Sequence, residues 1–83
     1  MNGLTFTMPD PFELVVRDGD AVYSLGTAYG KPPKKGQFVQ IHWRGEPCEV
    51  SVEQIEDVFT WRGSVTRVTA DLATRRGVPL PIW

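Results

Sequence analysis

The chain has 83 residues, of which 41% are hydrophobic and 23% are charged, and its formal net charge is −1. This length allows one domain at most, and the hydrophobic content predicts that the chain folds. The near-zero charge excludes a strongly cationic nucleic-acid binder and a polyacidic tail. We expect a single small domain over residues 1–83, with an extended apolar tail at residues 78–83.

Cysteine usage and hydropathy bear on the cellular compartment. Cys48 is the single cysteine, so an intramolecular disulfide is excluded, and small secreted domains usually depend on such bridges. The N-terminal residues lack the pattern of a signal peptide, and no run approaches the roughly 18 apolar residues of a membrane span. We expect a cytoplasmic protein without membrane association, in which Cys48 is a buried structural thiol.

The first part of the chain alternates apolar and polar residues, which is the period of a half-buried strand. Residues 4–8 and 12–17 are predicted strands, separated by two prolines that interrupt hydrogen-bonded ladders. Asp18-Gly19-Asp20 indicates a hairpin turn, so residues 21–25 are predicted to form the return strand. A loop over residues 26–36 follows and contains two prolines and three lysines.

A second hairpin is predicted from residues 37–43 and 48–52, joined by a loop at residues 44–47. With that loop length, Trp43 lies opposite Cys48 and Ile41 lies opposite Val50, all on the core face. His42 then lies opposite Glu49 on the solvent face. We interpret this last pair as an exposed polar cross-strand contact rather than a catalytic one, because no third group accompanies it.

After Val52 the spacing of the apolar residues changes from the alternation of a strand to the spacing of a helix. Residues 51–54 fit a capping box, and the apolar residues that follow predict a short helical turn near residues 52–59. Val65, Val68 and Leu72 then have helical spacing, supported by a ladder of alternating charges at Arg67, Asp71 and Arg75. A C-terminal helix near residues 64–76 is therefore favoured. The competing interpretation is a strand, since residues 66, 68, 70 and 72 also alternate with polar neighbours.

These elements predict an α+β, β-rich fold. About five short antiparallel strands form a small sheet or an SH3-like partial barrel, and the two helical segments lie at one end. The charges fall into alternating blocks: residues 1–30 and 46–58 are net acidic, and residues 31–45 and 59–83 are net basic. We interpret this alternation as internal charge matching within the fold.

The sequence contains no catalytic, cofactor-binding or metal-binding spacing, since the zinc, EF-hand, phosphate-loop and dinucleotide patterns are all missing. Because successive residues of a strand face opposite sides of the sheet, His42 and Cys48 are also expected on opposite faces. We therefore expect no cofactor, no metal and no enzymatic activity. The function favoured is a small non-catalytic binding module that acts by protein–protein contact, as an adaptor or an inhibitor of a larger complex, of the kind that phage or mobile elements encode.

Aromatic and apolar residues near the end of the chain are the predicted contact surface. Three tryptophans are many for 83 residues, and exposed indoles are enriched at interfaces. The predicted protein-interaction residues are Trp61, Leu80, Ile82 and Trp83. A homodimer is also expected, because so small a core gains from a shared apolar surface.

The alternative function is nucleic-acid binding. Residues 51–76 have a faint helix-turn-helix pattern whose second helix would enter a major groove, and the loop at residues 31–35 would contact phosphate. The predicted nucleic-acid contacts are Lys31, Lys34, Lys35, Arg62, Arg67, Arg75 and Arg76. The acidic first helix and the near-neutral chain weigh against this alternative.

Overall fold

The computed structural model describes residues 11–61 and 63–78, and these residues form one five-stranded sheet. The strands are β1 (Pro11–Asp18), β2 (Ala21–Tyr29), β3 (Phe38–Trp43), β4 (Glu46–Thr60) and β5 (Gly63–Gly77). Their spatial order is β2-β1-β5-β4-β3. β1 and β5 are parallel, and the other neighbouring pairs are antiparallel. Across the described ranges there is no helix, and so none that could cross a membrane.

The molecule is β-rich as predicted, but the α+β class is wrong. The helical turn expected near residues 52–59 is the continuation of β4, and the helix expected near residues 64–76 is β5. Each of these strands has 15 residues, so together they form a long hairpin. The sheet is also mixed rather than wholly antiparallel, because β1 joins β5 in parallel.

β5 is a strand because both of its faces find partners that a helix would not supply. Val68, Ala70 and Leu72 alternate along it and are buried against the core. Arg67 and Asp71, which a helix would place near each other, instead form ion pairs with residues of neighbouring strands. Burial of alternate residues and cross-strand pairing thus outweigh the helical charge spacing.

The β1–β2 hairpin confirms the predicted turn. Asp18 lies opposite Ala21, and Gly19 has a φ of 62°. β2 continues to Tyr29, beyond the predicted end at residue 25, so the loop that follows is shorter than expected. An irregularity lies near the middle of the pair, where Leu14 is opposite Gly26 but Val15 is opposite Ser24. Leu25 is therefore an extra residue on β2.

The β3–β4 hairpin has the predicted core face but a different register. Its turn contains only Arg44 and Gly45, with φ values of 53° and 84°, the backbone of a tight two-residue hairpin turn. Ile41 consequently lies opposite Cys48 rather than Val50. Trp43 lies opposite Glu46 rather than Cys48. The shift is two residues along β4, which preserves the alternation of faces.

The predicted pairing of His42 with Glu49 is therefore wrong. His42 lies opposite Pro47, and Glu49 lies opposite Gln40. The Glu49 carboxylate accepts a hydrogen bond from Arg76 instead.

The core lies on one face of the curved sheet, in two adjoining groups. The first contains Val16, Ile41, Cys48, Val50, Ala70 and Leu72, and the second contains Phe12, Val52 and Val68. Cys48 is free and buried, as predicted. The curvature brings Tyr23 of β2 within 5.2 Å of Trp43 of β3, measured between ring centroids. Both edge strands therefore help to close the core, without pairing to each other.

Two predicted features lie outside the described residues. These are the strand at residues 4–8 and the part of the apolar tail beyond Val78.

Candidate functional site

The face of the sheet opposite the core is a charged surface centred on two arginines. Arg17 Nε donates to Glu53 Oε1 at 2.8 Å, and Arg17 Nη2 lies 3.1 Å from Asp71 Oδ2. The hydrogen bond to Glu53 and the attraction of Asp71 raise the pKa of Arg17 above its ordinary value. The guanidinium therefore remains charged and holds β1, β4 and β5 together on this face.

The other ion pairs also join distant parts of the sequence. Arg67 Nε lies 3.3 Å from Glu13, and its Nη1 lies 3.8 Å from Glu56. Arg76 Nε lies 3.1 Å from Glu49, and its guanidinium stacks 3.6 Å from the centre of the Phe38 ring. The basic segment at residues 59–83 thus meets both acidic segments across strands, in part as the predicted internal charge matching requires, whereas no ion pair among the described residues involves the basic segment at residues 31–45.

The described residues among those predicted to contact nucleic acid lie on β5 and in the loop between β2 and β3. Arg67 and Arg76 are held in the ion pairs above, and Arg75 lies near the end of β5. The three lysines are exposed in the loop between β2 and β3. Arg62 lies outside the described residues. The predicted helix-turn-helix at residues 51–76, which contained the four arginines, is wrong. The described residues of this segment belong to two paired strands, β4 and β5, and the turn between them.

The histidine and the cysteine of the chain lie apart in the sheet. Within residues 11–61 and 63–78, no three His, Cys, Asp or Glu side chains are placed to hold a metal ion. His42 is exposed on β3 and Cys48 is buried on β4. Alternation along the paired strands places these two side chains on opposite faces, so they do not meet.

The outer end of the β4–β5 hairpin, residues 57–65, forms what we term the arm. β3 pairs with β4 only as far as Ser51, after which the chain before β3 contacts Val52. β1 pairs with β5 only from Thr66 onward. Among the described strands, the arm residues of β4 and β5 therefore pair only with each other.

Local contacts hold the arm as a hairpin. Val58 lies opposite Val65, a β-branched pair suited to strands. The Thr60 hydroxyl donates to the carbonyl oxygen of Gly63 at 2.9 Å across the turn. The Thr66 hydroxyl donates to Asp57 Oδ1 at 3.3 Å at the base of the arm. The arm can therefore present side chains from a formed backbone.

Two large aromatic side chains lie at the end of the arm. Phe59 is 86% exposed and Trp61 is 87% exposed, the highest values among the exposed large hydrophobic residues. Trp61 was a predicted interaction residue. Phe59 was missed, because the sequence placed it on the buried side of a helical turn. The other predicted interaction residues, Leu80, Ile82 and Trp83, lie outside the described residues.

An open depression adjoins Trp61. It has a volume of about 360 Å³ and lies between the arm and the middle of β2. Thr60, Trp61 and Val65 line the arm side, and Ser24, Gly26, Thr27 and Glu13 line the other. An indole beside a shallow depression that also contains Ser24 and Thr27 can pack against an apolar side chain of another protein while these hydroxyl groups form hydrogen bonds.

No family model matches the chain, and no curated protein or solved structure matches it at a significant level.

Proposed function

We propose that this protein is a small non-catalytic binding module that acts by protein–protein contact, with the arm as its contact surface. The observation that carries the proposal is the nearly complete exposure of Phe59 and Trp61 at the end of a formed hairpin. An adaptor or an inhibitor of a larger complex would use such an arm to reach an apolar pocket on its target.

Physical reasons favour a protein as the partner. Aromatic side chains bury a large area at a low entropy cost, so they dominate the free energy of many interfaces. The arm backbone is already paired before binding, which reduces the ordering cost of association. The arm sequence, residues 57–65, contains one acidic residue, Asp57, and one basic residue, Arg62, so it offers a phosphate backbone no excess of cations.

The experiment is an affinity capture from extracts of the organism that encodes the chain, with nuclease treatment throughout. Three forms are compared: the wild type, the double variant Phe59→Ser/Trp61→Ser, and the control His42→Ser. His42 is a suitable control because its ring side chain is exposed but lies on β3 opposite Pro47, at the other end of β4 from the arm.

We expect the wild type and His42→Ser to retain the same protein after nuclease treatment, and the double variant to lose it. Capture that disappears with nuclease would contradict a protein partner. Equal capture by the double variant would show that the arm is not the contact surface.

A further inference from the structure

The two exposed aromatic residues of the arm lie on opposite sides of the hairpin. Phe59 pairs with Ser64, which shares a face of β5 with the buried Val68. Phe59 therefore lies on the core side of the arm. Trp61 borders the open depression together with Val65, which lies on the opposite side of β5. One aromatic side chain is thus presented on each side of the arm.

The face of the sheet opposite the core, which we term the outer face, is apolar where it meets the arm. Val58 and Val65 pair across the arm on this face. Pro11 and its partner Tyr29 lie beside them, since β1 begins to pair with β5 one residue further on. Tyr29 is 71% exposed. We term this surface the outer patch, and it consists of Pro11, Tyr29, Val58, Trp61 and Val65.

A row of charged side chains borders the outer patch on the side away from the turn of the arm. Arg67 lies 3.3 Å from Glu13 and 3.8 Å from Glu56. The three side chains are between 30% and 43% exposed, so they are accessible from solvent. Two carboxylates and one guanidinium leave this row with an excess negative charge. A basic side chain on a partner that covers the outer patch would offset that excess.

The core side of the arm presents a narrower apolar surface. Phe59 is 86% exposed, and Ile55, which lies on the same side nearer the body, is 39% exposed. Between them, Asp57 accepts a hydrogen bond from the Thr66 hydroxyl. A flat partner surface could cover either Phe59 or the outer patch, but not both, because the two-stranded hairpin lies between them.

We infer that the partner of the arm is a protein with a cleft that encloses the arm between two apolar walls. One wall covers Phe59. The other covers the outer patch as far as Tyr29 and carries a basic side chain that faces Glu13 and Glu56. This inference rests on the proposed function and specifies the shape and charge of the partner's site.

The first test is quantitative capture from nuclease-treated extract with single variants of the full chain. We expect Phe59→Ser, Trp61→Ser and Tyr29→Ser each to retain at least about tenfold less of the protein that the wild type retains, since each loses a buried aromatic contact. His42→Ser is the control and should retain it fully. Circular dichroism of each variant shows whether the sheet is intact.

The second test is photo-crosslinking from the two sides of the arm. The variants are Ser64→benzoylphenylalanine on the core side and Thr27→benzoylphenylalanine on the outer face, where Thr27 is opposite Glu13. Both positions are exposed. Gln40→benzoylphenylalanine is the control, because Gln40 is exposed on β3, away from the arm. We expect positions 64 and 27 to crosslink to the same protein, and position 40 not to crosslink to it.

The third test concerns the basic side chain of the partner. Glu13→Gln/Glu56→Gln removes both carboxylates of the charged row and should reduce capture by about fivefold at low salt. Glu49→Gln is the matched control, because Glu49 also pairs with an arginine, Arg76, but lies beyond the charged row. It should leave capture unchanged.

Three results would overturn the inference. The first is full capture by Phe59→Ser, or by both Trp61→Ser and Tyr29→Ser, which would mean that the partner contacts one side only. The second is crosslinking from position 27 to the chain itself or to a second copy of it. The third is full capture by Glu13→Gln/Glu56→Gln. In each case the proposed function would still stand if Phe59→Ser/Trp61→Ser loses the protein, and it would fail if that variant keeps it.

Discussion

The two ends of the β4–β5 hairpin share one backbone geometry but have opposite environments. Near the β3–β4 turn, Cys48, Val50 and Val52 are buried between neighbouring strands. Near the other turn, Phe59 and Trp61 are exposed. Among the described residues, β3 pairs with β4 only as far as Ser51 and β1 pairs with β5 only from Thr66, so neither strand flanks the arm.

The comparison shows that hydrophobicity alone does not assign a residue to the core. Val50 is smaller than Phe59, yet it stabilises the fold more, because burial rather than side-chain size determines the free energy gained on folding. A large apolar side chain that is exposed contributes little to folding and is accessible to a partner. The inner end of the hairpin thus serves stability, and the arm is the surface that we propose for recognition.

The largest expected difference is between Val50→Ala and Phe59→Ala. Val50 is fully buried, so its truncation should lower the free energy of unfolding by about 2 kcal/mol through lost burial and a residual cavity. Phe59→Ala removes more atoms but should change it by less than about 0.5 kcal/mol. Urea unfolding of both variants measures the two changes in the free energy of unfolding. Equal destabilisation would show that Phe59 packs in the folded core.

A smaller effect is expected at the inner turn. Gly45 has a φ of 84°, a conformation that side chains disfavour, so Gly45→Ala should destabilise by about 1 kcal/mol. Gly77→Ala is the control, because a Cβ there meets open space and no positive φ is present. Thermal unfolding of the two variants should separate them. If Gly45→Ala melts like the wild type, the turn does not have this geometry in solution.

The smallest effects are expected for the partners of Arg67. Glu13→Gln removes the partner at 3.3 Å, and Glu56→Gln removes the one at 3.8 Å toward the arm. Both pairs are partly exposed, so each change should cost less than about 1 kcal/mol, with Glu13→Gln the larger. Urea unfolding at low salt resolves the order. A reversed order would mean that Arg67 pairs chiefly with Glu56.

Much of the sheet could be predicted from alternation. The positions of β1 and β3, the turn after Asp18 and the buried state of Cys48 all follow from residue spacing. The register of β3 with β4 did not, because a loop at residues 44–47 and a turn of Arg44 and Gly45 preserve the same faces. Alternation fixes which face is buried, and turn length fixes the partner.

β5 could not be assigned by sequence alone. Val65, Val68 and Leu72 have the spacing of a helix, while residues 66, 68, 70 and 72 have the spacing of a strand, so the sequence fits both structures. The strand forms because β5 pairs in parallel with β1, and each paired residue of β1 lies more than 50 positions away in the sequence. Such distant pairing leaves no local signal.

The same ambiguity between helix and strand explains why one aromatic residue of the arm was not predicted as a contact residue. Trp61 could be identified because a tryptophan in a turn is conspicuous. Phe59 could not, because the helical assignment placed it with Ile55 on a buried face. A signal was present: acidic residues 56 and 57 next to apolar ones are typical of a solvated strand end.

The central claim is that the arm serves binding and not folding. The most direct test measures both properties in one molecule, Phe59→Ser/Trp61→Ser. We predict a free energy of unfolding within about 1 kcal/mol of the wild type, since both side chains are exposed, together with loss of the captured protein. A variant that unfolds readily, or one that keeps its partner, would contradict the claim.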